Sequence, residues 1–302
     1  ALAPQIRLAA YRIGIERPLL WVHCPAGAEL IDTIPSVGIV MQRTDRFEAF
    51  PDGDPDLLAR QVAHIRGAAD LVIYCAPGLL AEERDFSRRQ ALITHGVELD
   101  RFVEAGRSNV EPADVAALPK PRVGFVGGID HHTFDPELFN SLAGLLPHHT
   151  FVLVGGCSLP LGWCPHPNVK LLGRKPYDQV AEYMAAMDVL IMPWNTSPWI
   201  AACNPIKLKE YLAVGRPVVT RDFPALDGWR DLVEVANTPR AFADAIARAK
   251  PADPSVIRAR LAPETWDDKA AEVFELLTSV ARGTEGRSRS TQSRLPANAR
   301  HA

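Results

Sequence analysis

The chain has 302 residues, 47% hydrophobic and 23% charged, with a formal net charge of −3. That is the balance of a soluble globular protein with room for two domains. It argues against a general nucleic-acid role, and no apolar run reaches membrane-spanning length. The five cysteines (Cys24, Cys75, Cys157, Cys164, Cys203) are odd in number and fit buried thiols in a reducing cytoplasm better than a disulfide framework. In chain order, 2–16 reads as a helix, 19–22 as a buried strand ending at His23-Cys24-Pro25, and 26–31 as a short helix. A second strand at 37–41 runs to Gln42-Arg43-Thr44-Asp45-Arg46. A polar turn at 52–56 leads into a helix to about 69, and strands follow at 71–75 and 91–94. Continuous apolar runs alternating with helices predict a parallel sheet in an α/β domain.

The stretch 104–121, with Pro112, Pro119 and Pro121 and little periodicity, reads as a linker. A second α/β series then begins. Strands are expected at 123–126, 151–154, 169–172, 189–192, 218–220 and 232–235, with helices at 136–146, 177–186, 205–214, 239–248 and 264–282. Residues 283–302 are rich in Ser and Arg and read as a disordered tail.

The strands of the second series end at Gly127-Gly128, Gly155-Gly156, Gly173-Arg174 and Pro193-Trp194-Asn195. Ligands of open α/β sheets bind at strand carboxyl ends, where glycine lets backbone N–H groups come close to a pyrophosphate. Beside this edge lies Asn204–Thr220. Asn204 reads as its helix N-cap, Pro205 as the first helical residue, and Gly215 as its left-handed close before Pro217. Lys207 brings a positive charge to the helix start, where the dipole already favours phosphate. Glu210, three residues on, can accept hydrogen bonds from a ribose diol. Any one glycine pair is by itself a tight turn, and a Lys/Glu pair alone a solvated surface pair. Together at one edge they point to a nucleotide site. Asp52-Gly53-Asp54 resembles a metal motif but reads as a turn and helix cap. Cys157, Cys164 and His166 lack a fourth zinc ligand, so no metal site is expected.

These residues resemble a family. Asn204–Thr220, preceded by Gly173–Pro193, is similar to the group 1 retaining glycosyltransferases of GT-B fold, in the bacterial polysaccharide and teichuronic-acid branch with its N-P-x-K-x-x-E-Y-L-A-x-G-x-P-V-V motif. Gly96–Phe102 resembles the family's G-V-D-x-x-x-F element, and Trp21-Val22-His23-Cys24-Pro25 its strand-His-x-Pro element. The resemblance implies an α/β fold of two facing Rossmann-like domains with parallel sheets. It divides the chain into a partial acceptor-side domain (1–110), a linker (111–121), a nucleotide-sugar domain (122–262), a C-terminal helix (263–282) packing back toward the first domain, and the tail (283–302). Glu210 would bind the donor ribose. Lys207 and Gly127-Gly128 would lie near the diphosphate, Arg174 near the base or phosphates, and His23 would face the transferred sugar as the catalytic-side residue. Asp45 and Arg46 would stand on the acceptor side.

The implied reaction is transfer of a sugar, with retention, from a nucleoside-diphosphate sugar to a saccharide or lipid-linked acceptor, with no cofactor or metal. The expected setting is the cytoplasm, at the inner face of the membrane if the basic tail gives weak peripheral association. There are three departures from the family pattern. Ala202 stands where many members carry a second Glu, which would leave sugar recognition to Trp194 or Asn195. His95 replaces a common Asn. The first domain is short of its opening strands, so an N-terminal truncation is expected. A 2-epimerase-like isomerase using Asp45, His23 and His131, or a non-catalytic nucleotide-sugar-binding module, are the alternative readings.

Overall fold

The computed structural model describes residues 3–87, 89–108 and 110–292. The chain forms two compact units, residues 1–94 with 270–302, and residues 95–269.

The first unit is built on a four-stranded parallel sheet, β1 (Leu19–Val22), β2 (Gly38–Arg43), β3 (Leu71–Tyr74) and β4 (Gln90–Leu92), in the order β1-β2-β3-β4. β3 is buried along its whole length, as expected for an inner parallel strand covered on both faces. Asp54 caps the crossover helix Pro55–Ala68, accepting from the Asp56 and Leu57 amides. This gives the Asp-Gly-Asp turn the capping role read for it. The helix expected over 2–16 stops at Arg12 and buries none of its side chains. The last helix, Trp266–Gln292, belongs to this unit from residue 270 on. Its Val273 and Val280 pack with Val40, Leu71, Ile73 and Ile93. The helix extends into the segment read as a disordered tail, of which 293–302 lies outside the described residues.

The second unit holds a six-stranded, all-parallel sheet: β5 (Arg122–Val126), β6 (Thr150–Val154), β7 (Val169–Gly173), β8 (Val189–Met192), β9 (Val218–Thr220) and β10 (Glu234–Val235). The order is β10-β9-β8-β5-β6-β7, so the chain runs outward from β5 to β7 and returns to the other side of β5 at β8. This is the doubly wound order, with its switch point between β5 and β8, where a crevice opens at the strand carboxyl ends. β5, β6 and β8 are buried throughout. Helices Pro136–Leu145, Pro239–Arg248 and Pro254–Leu261 each begin with proline after a side-chain cap from Asp135, Thr238 or Asp253, which fixes where each helix starts.

Two boundaries differ from the sequence reading. The helix Leu99–Arg107, assigned to the first domain, belongs to the second unit and buries Phe102 there. The stretch read as a linker is ordered and packed. Val115 is fully buried, Asp114 pairs with Lys175, and Glu111 pairs with Arg122. Prolines there shape a wrapped segment rather than a free one.

Candidate functional site

The strands of the second unit end in glycines that pass close to one another. The Gly127 amide donates to the Val154 carbonyl, the Gly155 amide to the Gly173 carbonyl, and the Ile129 amide to the Gly156 carbonyl. A Cβ on Gly155 would fall 1.8 Å from the Gly127 carbonyl oxygen. The two loops can therefore stack only as bare backbone. The next residues open a cleft of ≈ 460 Å³ lined by Gly128, Asp130, Gly156, Cys157, Ser158 and Arg174. The Arg174 side chain lies over Gly156, with Nε 2.7 Å from where a Cβ would stand. Its guanidinium forms no hydrogen bond or ion pair with another described residue.

The helix of the N-P-x-K motif spans Ile206–Val214, one residue shorter at its start than expected. Pro205, not Asn204, is its N-cap and offers no side-chain bond to the first-turn amides, because proline has none to give. Gly215 closes the helix in the left-handed conformation, φ 76°. From Leu208 to Val214 every residue is buried, so this is a central helix rather than an amphipathic one. The Tyr211 hydroxyl fixes it to the sheet, accepting from the Val126 amide at 2.8 Å, at the residue before Gly127.

The Lys207 stem runs directly against Gly127; a Cβ on that glycine would lie 2.3 Å from Lys207 Cε. Glu210 is only 7% exposed. Neither side chain forms a hydrogen bond or ion pair with another described residue. Burial holds the Lys207 pKa below the ordinary lysine value, opposed by the charge of Glu210 and, more weakly, of Cys203 and Asp130. Burial likewise raises the Glu210 carboxyl above the usual carboxylate range. Lys207 opposes that rise and Glu98 adds to it. Glu98 pairs with Arg101 at 2.9 Å, and Arg101 lies 5.3 Å from the centre of the Tyr177 ring. A buried acid and a half-buried lysine lie in electrostatic reach of each other, neither hydrogen-bonded to another described residue, an arrangement able to meet a ligand with anionic and hydroxyl groups.

The structure brings together Gly127, Gly128, Arg174, Lys207 and Glu210 at one sheet edge of the second unit. Asn195 has another role. Its side-chain amide donates to the His131 and His132 carbonyls at 3.0 and 2.9 Å, and its Oδ1 accepts from the Ser197 amide at 3.0 Å. Both of its donors are taken up tying two loops together, which corrects its assignment as a donor-binding residue. Trp194 is buried against Phe223, ring centroids 5.2 Å apart, and is no more available for sugar recognition. In the first unit, His23 follows β1, is exposed and leans on Trp21 with ring centroids 4.5 Å apart. Partial shelter lowers its pKa. The Asp45 carbonyl accepts from buried Arg43, which also pairs with Glu48 and Glu83, and Arg46 pairs with Glu82.

Sequence reasoning passed over three features. Asp130 lines the cleft, its Oδ1 accepting from the His132 and Thr133 amides. The Glu98–Arg101–Tyr177 group spans two helices distant in sequence, so no local pattern could reveal it. Lys209 is 2% exposed, and only its place beside Glu210 in an otherwise apolar helix hinted at a buried charge.

Residues 120–249 match the family model described as glycosyl transferases group 1. A putative teichuronic acid biosynthesis glycosyltransferase, TuaH, of Bacillus subtilis (strain 168) is 28% identical over 227 residues, covering 70% of this chain and 57% of that protein. The chain thus spans little more than half the length of this curated relative. Among solved structures, a sucrose-phosphate synthase from Thermosynechococcus elongatus aligns with a TM-score of 0.71 at 19% identity, over 93% of this chain and 78% of that one. Anabaena HepE, in complex with UDP, aligns with a TM-score of 0.61 at 16% identity, over 96% and 82%. At such identities these likenesses speak for the fold alone. Residues 120–249 are therefore similar to the group 1 glycosyl transferases, within a chain whose fold is that of the GT-B enzymes.

Proposed function

We propose that this chain binds a nucleoside-diphosphate sugar and transfers the sugar, with retention at the anomeric carbon, to an acceptor of polysaccharide or glycolipid assembly at the inner face of the membrane. The observation that carries the reading is the pair Lys207 and Glu210. Both are held at the carboxyl edge of a doubly wound sheet, beside glycines stripped to backbone, and neither is hydrogen-bonded to another described residue. In this reading Glu210 accepts from the ribose hydroxyls. The Gly127-Gly128 backbone and the start of the Ile206–Val214 helix meet the diphosphate, and Lys207 and Arg174 neutralise it. As the glycosidic bond to the diphosphate breaks, negative charge grows on the departing phosphate. A cation and a helix start already in place stabilise that charge without reorganisation. This assigns to the protein's own groups the charge that a divalent ion would otherwise offset, so transfer is proposed to run without added metal.

We take the nucleotide to be uridine diphosphate, because the HepE structures hold UDP, or UDP with glucose. The polysaccharide acceptor follows the printed name of the Bacillus relative. His23, Asp45 and Arg46 of the first unit are proposed to serve the transferred sugar and the acceptor. The test is sugar transfer from a radiolabelled UDP-sugar to a saccharide acceptor in the presence of EDTA, with Glu210→Ala as control. Turnover unchanged by that substitution would refute the assignment.

A further inference from the structure

Among the buried charges outside the donor-binding groups, one adjoins Glu210 in sequence. Lys209 is 2% exposed, and its Nζ donates to the His95 carbonyl and to the Glu264 carboxylate. The other oxygen of Glu264 accepts from Lys269 at 3.2 Å, and the Glu264 carbonyl accepts from the Val97 amide at 2.8 Å. His95 and Lys269 are the first and last residues of the second unit. An ammonium taken out of water needs such partners, and once it has them its geometry is fixed.

That geometry bears on Glu210. The helix Ile206–Val214 has no side-chain cap at its start, and Glu210 has no hydrogen bond to another described residue to direct it. The neighbours of Glu210 on either side are both tied. Tyr211 is bonded to Val126 at the end of β5, and Lys209 to His95 and Glu264. Successive helical residues point about 100° apart, so tethers at 209 and 211 together set the rotation of the turn between them.

We infer that Lys209 is a positioning residue, which holds the helix so that Glu210 faces the nucleotide's hydroxyl groups. This rests on the donor-binding role proposed for Glu210. The alternative is that Lys209 only stabilises the unit.

The experiment is a binding cycle on the full chain with UDP as probe, comparing wild type, Lys209→Met, Glu210→Gln and the double variant. A positioning role makes Lys209→Met weaken UDP binding about tenfold when Glu210 is present and less than about twofold when it is Gln, because the two residues act as one unit. An unchanged affinity, or the same loss in both backgrounds, would overturn the inference. If Lys209→Met does not fold, Glu264→Gln, which keeps the shape and an acceptor, replaces it in the same cycle with the same criterion. A second readout needs no nucleotide: the Glu210 carboxyl followed by ¹³C NMR titration. Release of the helix returns the Glu210 titration toward the ordinary carboxylate range, whereas loss of a nearby positive charge alone cannot lower it. An unmoved Glu210 titration also contradicts positioning. Failure of wild type to bind UDP would count against the donor site itself, and the NMR result would still decide the role of Lys209.

Discussion

Gly155 stands so close to Gly127 that any side chain on it would meet the Gly127 carbonyl oxygen at 1.8 Å, far inside van der Waals contact. Backbone cannot yield there as a flexible side chain could. Gly155→Ala is therefore expected to pry the two loops apart, costing about 1–3 kcal/mol of stability in urea unfolding and abolishing UDP binding. Gly127→Ala meets instead the movable end of Lys207, at 2.3 Å from Cε. It should cost less stability and still weaken binding, because Lys207 must leave its place. Equal stability losses in the two variants would contradict this picture.

Lys207 should matter to the phosphates and not to the nucleoside. Lys207→Met is expected to weaken UDP binding about 10- to 100-fold, the loss of a charge-assisted contact, while leaving uridine binding within about twofold. Arg174→Ala, at an exposed position, should have a smaller and more salt-dependent effect. Parallel titrations with UDP and uridine at two salt concentrations check both.

Glu210 sets function against stability. Burial holds its carboxyl above the usual range, with Lys207 opposing and Glu98 adding. The folded state thus binds the proton more tightly than the unfolded chain. Above the ordinary carboxylate value the unfolded chain ionises more readily than the buried group, so burying Glu210 lowers stability. That cost fades as pH falls through the raised folded value and is gone below the ordinary carboxylate value. Glu210→Gln should accordingly raise Tm at pH 7 and lose this advantage in acid, while binding UDP more weakly. The same raised value makes wild-type UDP affinity fall, as pH is lowered, sooner than an ordinary carboxylate would allow. Thermal melts and titrations across pH 4 to 8 measure both, and a Glu210→Gln melt no higher than wild type at pH 7 would contradict the account.

Asn195 is expected to behave as a structural tie. Asn195→Ala removes two donors to the 131–132 carbonyls and an acceptor for Ser197, costing about 1–3 kcal/mol, with a change in UDP affinity smaller than that of Lys207→Met. A loss of affinity without loss of stability would return Asn195 to the donor site.

Much of this was legible in the residues. The strand Val123–Val126 running into Gly127-Gly128, the alternation behind it and the doubly punctuated Asn204–Thr220 segment foretold a parallel sheet whose carboxyl edge carries glycine turns and a helix start, because strand length, glycine placement and helix ends are local signals. Lys207 and Glu210 were readable for the same reason. What could not be read depends on contacts between distant segments. Asn195 looked available until its amide was seen bonded to His131 and His132, and no local pattern marks Lys209 as the lysine that Glu264 and His95 close around. The proline-rich 111–121 stretch read as a linker because the burial of Val115 and the pairing of Asp114 with Lys175 leave no periodicity in sequence.

The central claim is that Lys207 and Glu210, side by side at the sheet edge, hold a nucleoside diphosphate. The most direct measurement is calorimetric titration of this chain with UDP in EDTA, run on wild type and Glu210→Ala. The account predicts saturable one-site binding by the wild type, weakened at least about tenfold in the variant while its circular dichroism spectrum stays native. A folded wild-type chain that binds no UDP, or a Glu210→Ala variant that binds it as tightly, would contradict the claim.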